Sequence, residues 1–259
     1  MNAMAKLTPK TPDEIILMRE AGKSAMKVLR KAASVVAPGV TTADLDRQIG
    51  EWIREDGGTS AFLGYRGFPA NSCISVNEEV IHGIGGSRRL QFGDLVKLDI
   101  GVRRKGFIGD VAMTVPCGGC SPIAQKLLDV TVQALREGLG QIRPNCSTND
   151  IGRSVQRVVE AAGFGVVREF CGHGVGRTVH EEPQVPNYVD SGHTSRLKPG
   201  LTIAVEPMVT VGSPAVKILS DGWTVVTHDR QLSAHFEHTV LVTDDGFEIL
   251  TDDGLPALY

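Results

Sequence analysis

The sequence predicts an α+β fold made of two similar halves, each a helix pair followed by strands. Three observations predict it. Helix-start and helix-stop residues bracket four amphipathic stretches. β-Branched, hairpin-like runs lie between and after them. Five helix-boundary residues recur at an offset of 106 positions.

The first helix opens at Thr11, with Pro12 at the first helical position and Glu14 closing a capping box. Ile15, Met18, Ala25, Val28, Leu29 and Val36 give it an apolar stripe, and Pro38-Gly39 stops it. A second helix runs from near Thr42 through Leu45, Ile49, Trp52 and Ile53 to Gly57-Gly58. Ser121-Pro122 opens a third, through Leu127, Leu128, Val132 and Leu135, which Pro144 interrupts. A fourth begins near Ser147 or Thr148, carries Ile151, Val155, Val158 and Val159, and ends by Gly163. Displaced by 106, Pro38, Thr42, Asp44, Arg47 and Gly57 fall on Pro144, Thr148, Asp150, Arg153 and Gly163. Caps and stops recur in any helical hairpin, but five matches in one ungapped window favour duplication. Strands are expected within 72–82, 95–116, 166–172, 202–211, 223–228 and 235–250, and a loop over 183–199.

Composition narrows the class. The 259 residues suit one large domain or two packed halves, and the 41% of hydrophobic residues suffices for a substantial core. A formal net charge of −3 implies no strong pull toward nucleic acid or anionic membrane. The charge-studded first 30 residues leave no apolar signal region, and no apolar run has the length to span a bilayer. Five cysteines, at 73, 117, 120, 146 and 171, suit a reducing cytoplasm better than a disulfide framework. Cys117 and Cys120 lack the partners of a zinc site, and Gly118-Gly119 between them reads as a surface turn.

Chemistry enters at a predicted hairpin. Val96 to Ile100 and Phe107 to Val111 form its strands, and Arg104-Lys105 is the expected tight turn. A two-residue turn there sets position 103 against 106 and Asp99 against Asp110. Direct cross-strand neighbours have Cβ atoms about 4.5–5.5 Å apart. Two carboxylates that close repel unless a proton or cation lies between them. Leu98, Ile100, Ile108 and Val111 surround both acids, which points to a buried cation site. His173 lies in the glycine-rich run Gly172-His173-Gly174-Val175-Gly176, Glu206 at a strand end before Pro207, and Glu237 at the head of a β-branched run. One imidazole and four carboxylates suit divalent Co, Mn, Fe, Zn or Ni.

In order and context, Asp99, Asp110, His173, Glu206 and Glu237 resemble the five metal ligands of the methionine aminopeptidases, type I, the short bacterial form. The resemblance runs from about Thr11 to Thr251. It rests also on Cys73-Ile74-Ser75-Val76-Asn77-Glu78, His82-Gly83-Ile84, His180-Glu181-Glu182-Pro183, Glu206-Pro207-Met208 and Glu237-His238-Thr239. It implies the pseudo-symmetric pita-bread fold: a single catalytic domain over 1–259, with halves at about 11–120 and 121–251.

The resemblance further implies a cytoplasmic, monomeric hydrolase. It would remove the initiator methionine from nascent chains through a water activated by two divalent metal ions, with the ribosome as a further partner. Asp110 and Glu237 would bridge both ions, Asp99 would hold one, and His173 and Glu206 the other. Glu206 would shuttle the proton, and His82 and His180 would contact the scissile amide. The methionine pocket would comprise Phe62, Tyr65, Phe68, Cys73, Val179 and Trp223. Well-known bacterial relatives carry Cys, Tyr and Phe where this chain has Phe62, Phe68 and Val179. Asn77, Ser233 and the backbone of Glu79 resemble a monovalent-cation site. Prolidases and X-Pro aminopeptidases share the five ligands. The short N-terminus and the 64–77 segment favour the methionine enzymes, and the complete ligand set argues against a non-catalytic binding protein.

Overall fold

The computed structural model describes residues 7–192 and 194–255. Thr11 caps α1 (Pro12–Ser34): its hydroxyl accepts the Glu14 N–H at 3.3 Å, and the Glu14 carboxylate accepts the Thr11 N–H at 3.0 Å. This helix ends four residues before Pro38, where the Val35 N–H folds back to the Ala32 carbonyl. Next come α2 (Thr42–Glu55), β1 (Thr59–Ser60), a single 3-10 turn (Tyr65–Gly67), β2 (Cys73–Val76), β3 (Glu79–Ile81), β4 (Leu95–Arg104) and β5 (Phe107–Pro116). The second half repeats the order with α3 (Pro122–Leu139) and α4 (Thr148–Ala161). It continues with β6 (Gly165–Val166), β7 (Gly172–Gly174), β8 (Glu181–Val185), β9 (Thr202–Val205) and β10 (Met208–Thr210). It closes with β11 (Val216–Ile218), β12 (Val225–Thr227), β13 (Ser233–His235), β14 (Glu237–Val242) and β15 (Phe247–Ile249).

The recurring residues do matching work. Helices α2 and α4 are both 14 residues long and start 106 positions apart. The Thr41 hydroxyl accepts the Asp44 N–H, and the Ser147 hydroxyl accepts the Asn149 N–H. Asp44 pairs with Arg47 at 3.5 Å, and Asp150 with Arg153 at 3.0 Å. Gly57 and Gly163 close the two helices at φ +77° and +82°, a backbone conformation glycine adopts without strain.

A nine-stranded sheet crosses both halves in the order β1-β4-β5-β14-β9-β7-β8, with β2 beside β4 and β15 beside β14. Alternate residues of β4 face opposite ways. Leu98 and Ile100 join the main core with Leu29 and Ile49 from the first helix pair and Leu135 and Val155 from the second. Asp99 lies on the other face of the strand. Among the described residues no helix is long and apolar enough to cross a membrane.

Two expectations are corrected. The hairpin turn lies at Lys105-Gly106, with φ +48° and +85°, so Arg104 pairs with Phe107. Positive φ at both central residues is the turn whose twist matches the flanking strands. Asp99 therefore faces Ala112, and Asp110 faces Gly101, so the acids are diagonal neighbours on one face. The expected loop at 183–199 begins inside a strand, β8, which includes Pro183. β8 is the last strand in the sheet order, and proline is tolerated at such an edge.

Candidate metal centre

Five consecutive strands of the large sheet deliver the five candidate ligands. In sheet order these are β4 (Asp99), β5 (Asp110), β14 (Glu237), β9 (with Glu206 immediately after it) and β7 (His173). Ala112 pairs with Asp99 on one side and Glu237 on the other, so a methyl group separates two carboxylates across adjacent strands. The Thr239 hydroxyl donates to the Asp110 carbonyl at 2.7 Å and accepts the Asp110 N–H at 3.1 Å, pinning that residue from β14. One ligand atom each of Asp110, His173 and Glu237 falls within 4.8 Å of the others. His173 Nε2 is 3.4 Å from Glu206 Oε1 and 4.0 Å from Asp110 Oδ2. Nδ1 of His173 lies 2.9 Å from the Gly174 carbonyl. A carbonyl only accepts, so Nδ1 carries the proton and Nε2 presents a lone pair to the acids.

This cluster is buried and short of positive charge. Asp99, Asp110, Glu206 and Glu237 are all 9% exposed or less, and no Lys or Arg pairs with them among the described residues. Asp99 Oδ1, Asp110 Oδ1 and Glu237 Oε1 are buried without a hydrogen-bond partner. Burial pushes Asp110 up to about 7. Burial and the Asp110 charge hold Asp99 well above the usual carboxylate range. Burial and neighbouring acids do the same to Glu206 and Glu237. Buried, unpaired carboxylate oxygens beside an imidazole lone pair are the donor set that divalent cations satisfy. The residues present therefore fit such ions.

All four acids line a cavity of about 230 Å³. Phe62, Tyr65, Phe68, Cys73, Val179 and Trp223 line it, together with His82 and His180. Cys73 on β2 pairs with Asp99 on β4, which joins the apolar wall to the acids. Phe68 and Trp223 meet edge to face at 5.1 Å. His180 Nδ1 lies 2.9 Å from the Tyr65 hydroxyl. Glu181 holds the adjacent loop: Oε1 accepts the Arg177 and Thr178 N–H groups, and Oε2 pairs with Lys10 at 2.8 Å. The His82 ring stands edge-on to Phe170, and burial and His180 lower its pKa to about 4.

The sequence pattern of metallopeptidase family M24 matches residues 16–244. The chain belongs to that family. Within it, the chain groups with the methionine aminopeptidases. It is 46% identical to methionine aminopeptidase 1 of Bacillus subtilis (strain 168) over 242 residues, 93% of this chain and 98% of the relative. The crystal structure of methionine aminopeptidase from Rickettsia prowazekii superposes with a TM-score of 0.93 at 38% identity, covering 95% of this chain and all of that one. Prolidase from Pyrococcus furiosus, at 20% identity and a TM-score of 0.78 over 95% of this chain and 66% of its own, shares the fold alone. The pita-bread architecture expected from sequence is thus the one observed.

In this M24 member the five ligand candidates, both histidines and all six pocket residues meet at one cavity. Asn77, Glu79 and Ser233 lie outside its lining and meet one another elsewhere. Arg66, Ile81, Phe170 and Cys171 also line the cavity and were not anticipated. Ile81, Phe170 and Cys171 stand one to three positions before His82 or His173, so chain proximity was the available signal. His235 was also missed: it is 1% exposed, and its Nε2 lies 3.4 Å from Glu206 Oε2.

Proposed function

We propose that this cavity removes the N-terminal methionine of proteins and peptides by metal-dependent hydrolysis of the first peptide bond. The observation that carries the reading is the convergence of four buried carboxylates and His173 Nε2 in one cavity that aromatic and apolar side chains also line. Asp99, Asp110, His173, Glu206 and Glu237 would hold the two divalent cations. When bound, such ions supply Lewis acidity and make hydroxide available near neutrality.

The chain's own groups do the rest. The cavity side chains take up the substrate's methionine, whose flexible thioether packs well against aromatic rings. The acidic end receives the free α-amine, which restricts cleavage to a chain terminus. Glu206 takes the proton of the attacking water at its carboxylate and returns it to the leaving amine. His82 stays neutral at physiological pH and hydrogen-bonds the developing charge. His180, held at Nδ1 by Tyr65, turns Nε2 toward the scissile amide.

We take the whole chain as one catalytic domain, acting as a cytoplasmic monomer on nascent polypeptides and within reach of the ribosome. Exchange of Glu206 for Gln tests the mechanism. Hydrolysis of Met-Ala-Ser should be abolished while the folded signature and peptide binding persist. Undiminished turnover would remove Glu206 from the proton shuttle.

A further inference from the structure

Lys97 lies within the buried stretch of β4, two residues before Asp99, and is 1% exposed. A charge there is costly unless several hydrogen bonds receive it. Its Nζ donates to the Asn77 carbonyl at 2.6 Å, to the Ser233 carbonyl at 3.0 Å and to the Ser233 hydroxyl at 3.3 Å. Ser233 Oγ is itself 3.1 Å from both the Asn77 and the Glu79 carbonyls.

Asn77, Glu79 and Ser233 are the residues expected to hold a monovalent cation, and their oxygens do converge. A cation already stands among them, covalently attached to β4. A free ion would have to displace an ammonium that satisfies three oxygens at once. The residues present therefore do not fit a bound sodium or potassium ion.

We infer that Lys97 is a tethered cation that takes the place of a monovalent ion at the junction of β2, β3, β4 and β13. The junction joins segments that carry the site. Cys73 is on β2, which runs to Asn77; Asp99 is on β4; Glu237 follows β13 by two residues. Thr114, opposite Lys97 on β5, bonds both backbone groups of His235 on β13. The Asn77 side chain accepts the Leu95 N–H and donates to Asp94, while its carbonyl takes Nζ together with the Ser233 N–H and hydroxyl. Lys97 is a positioning residue: its hydrogen bonds go to Asn77 and Ser233, outside the cavity lining, and it acts by fixing the strands that hold it.

The test is thermal unfolding in sodium, potassium or caesium chloride against tetramethylammonium chloride at constant ionic strength. It is run on protein stripped of divalent metal and repeated on the loaded enzyme. The wild type should show the same melting temperature in every salt. Lys97→Asn, whose shorter side chain leaves room for an ion, should lose several degrees in tetramethylammonium and recover saturably with sodium or potassium. Lys97→Met, which fills the space without a charge, should lose stability and recover in no salt. With Lys97→Asn, KM for a methionyl peptide should follow the same cation titration. A saturable, ion-specific rise in the wild-type melting temperature overturns the inference. So does a Lys97→Asn protein with neither the loss nor the response. If that variant fails to fold in any salt, the wild-type titration decides alone.

Discussion

Asp99 and Asp110 share one face of the β4–β5 hairpin two residue pairs apart, because Asp99 pairs with Ala112 and Asp110 with Gly101. The offset places Asp110 nearer the β14 side, where Thr239 clamps its backbone, and leaves Asp99 against Cys73 on β2. Both carboxyls are buried and pushed toward the protonated form. Without cations they oppose folding, since the folded chain binds protons that the unfolded chain releases. For acids with raised pKa the stability falls as pH rises, between about 4 and about 7 for Asp110.

Metal removal should therefore have a pH signature. Metal-stripped Asp110→Asn should melt above metal-stripped wild type at pH 7.5, and the gap should narrow toward pH 5. The same variant should bind divalent cations at least tenfold more weakly, as calorimetry would show. Lower stability of the stripped variant at pH 7.5 would contradict the buried-charge account.

His82 gives a pH dependence of opposite sign. Burial lowers its pKa from 6.5 to about 4, so the unfolded chain binds the proton more readily. This contribution is intact above 6.5 and is lost as pH falls toward 4. Relative to His82→Gln, wild type should melt lower at pH 5 than at pH 7.5. The variant's kcat/KM should fall roughly 10²-fold, without displacing the acid limb of the pH profile, if His82 donates to the transition state. Steady-state kinetics across pH 5–9 checks both.

The pocket wall depends on a missing side chain. A Cβ on Gly101 would sit 2.6 Å from a ring carbon of Phe62. Gly101→Ala should therefore displace Phe62, which lines the cavity. KM for Met-Ala-Ser should rise roughly tenfold, the usual scale for one methyl group in a specificity pocket. Bound metal per chain should stay unchanged. Loss of metal together with affinity would show that the change reached Asp99 or Asp110 instead.

The paired helices allow a symmetric test. Thr41→Ala and Ser147→Ala each remove the cap of a 14-residue helix at equivalent positions. Each should cost about 1 kcal/mol in chemical denaturation. A large loss from only one would mean that the halves contribute unequally despite their matching ends.

Much of this was written locally in the chain. The capping box at Thr11 and Glu14, the αL glycines at 57 and 163, and the glycine-flanked His173 each carry their signal within a few residues. The hairpin register was not legible. Gly106 advertised a turn, but Lys105 at positive φ is a conformation that the sequence does not announce. The error was two residues in the paired sum, so both acids kept their face, and the site survived the slip. Lys97 sat unexplained in an apolar run because its three acceptors come from positions 77 and 233. His235 was hidden for the same reason: only the sheet brings it to Glu206.

The most direct measurement is kcat/KM for Met-Ala-Ser against Ala-Pro and X-Pro peptides, before and after chelation. The account predicts preferred release of methionine, loss of turnover in the stripped protein, and its return with added divalent cation. Preference for the proline peptides, or undiminished methionine release after complete metal removal, would contradict it.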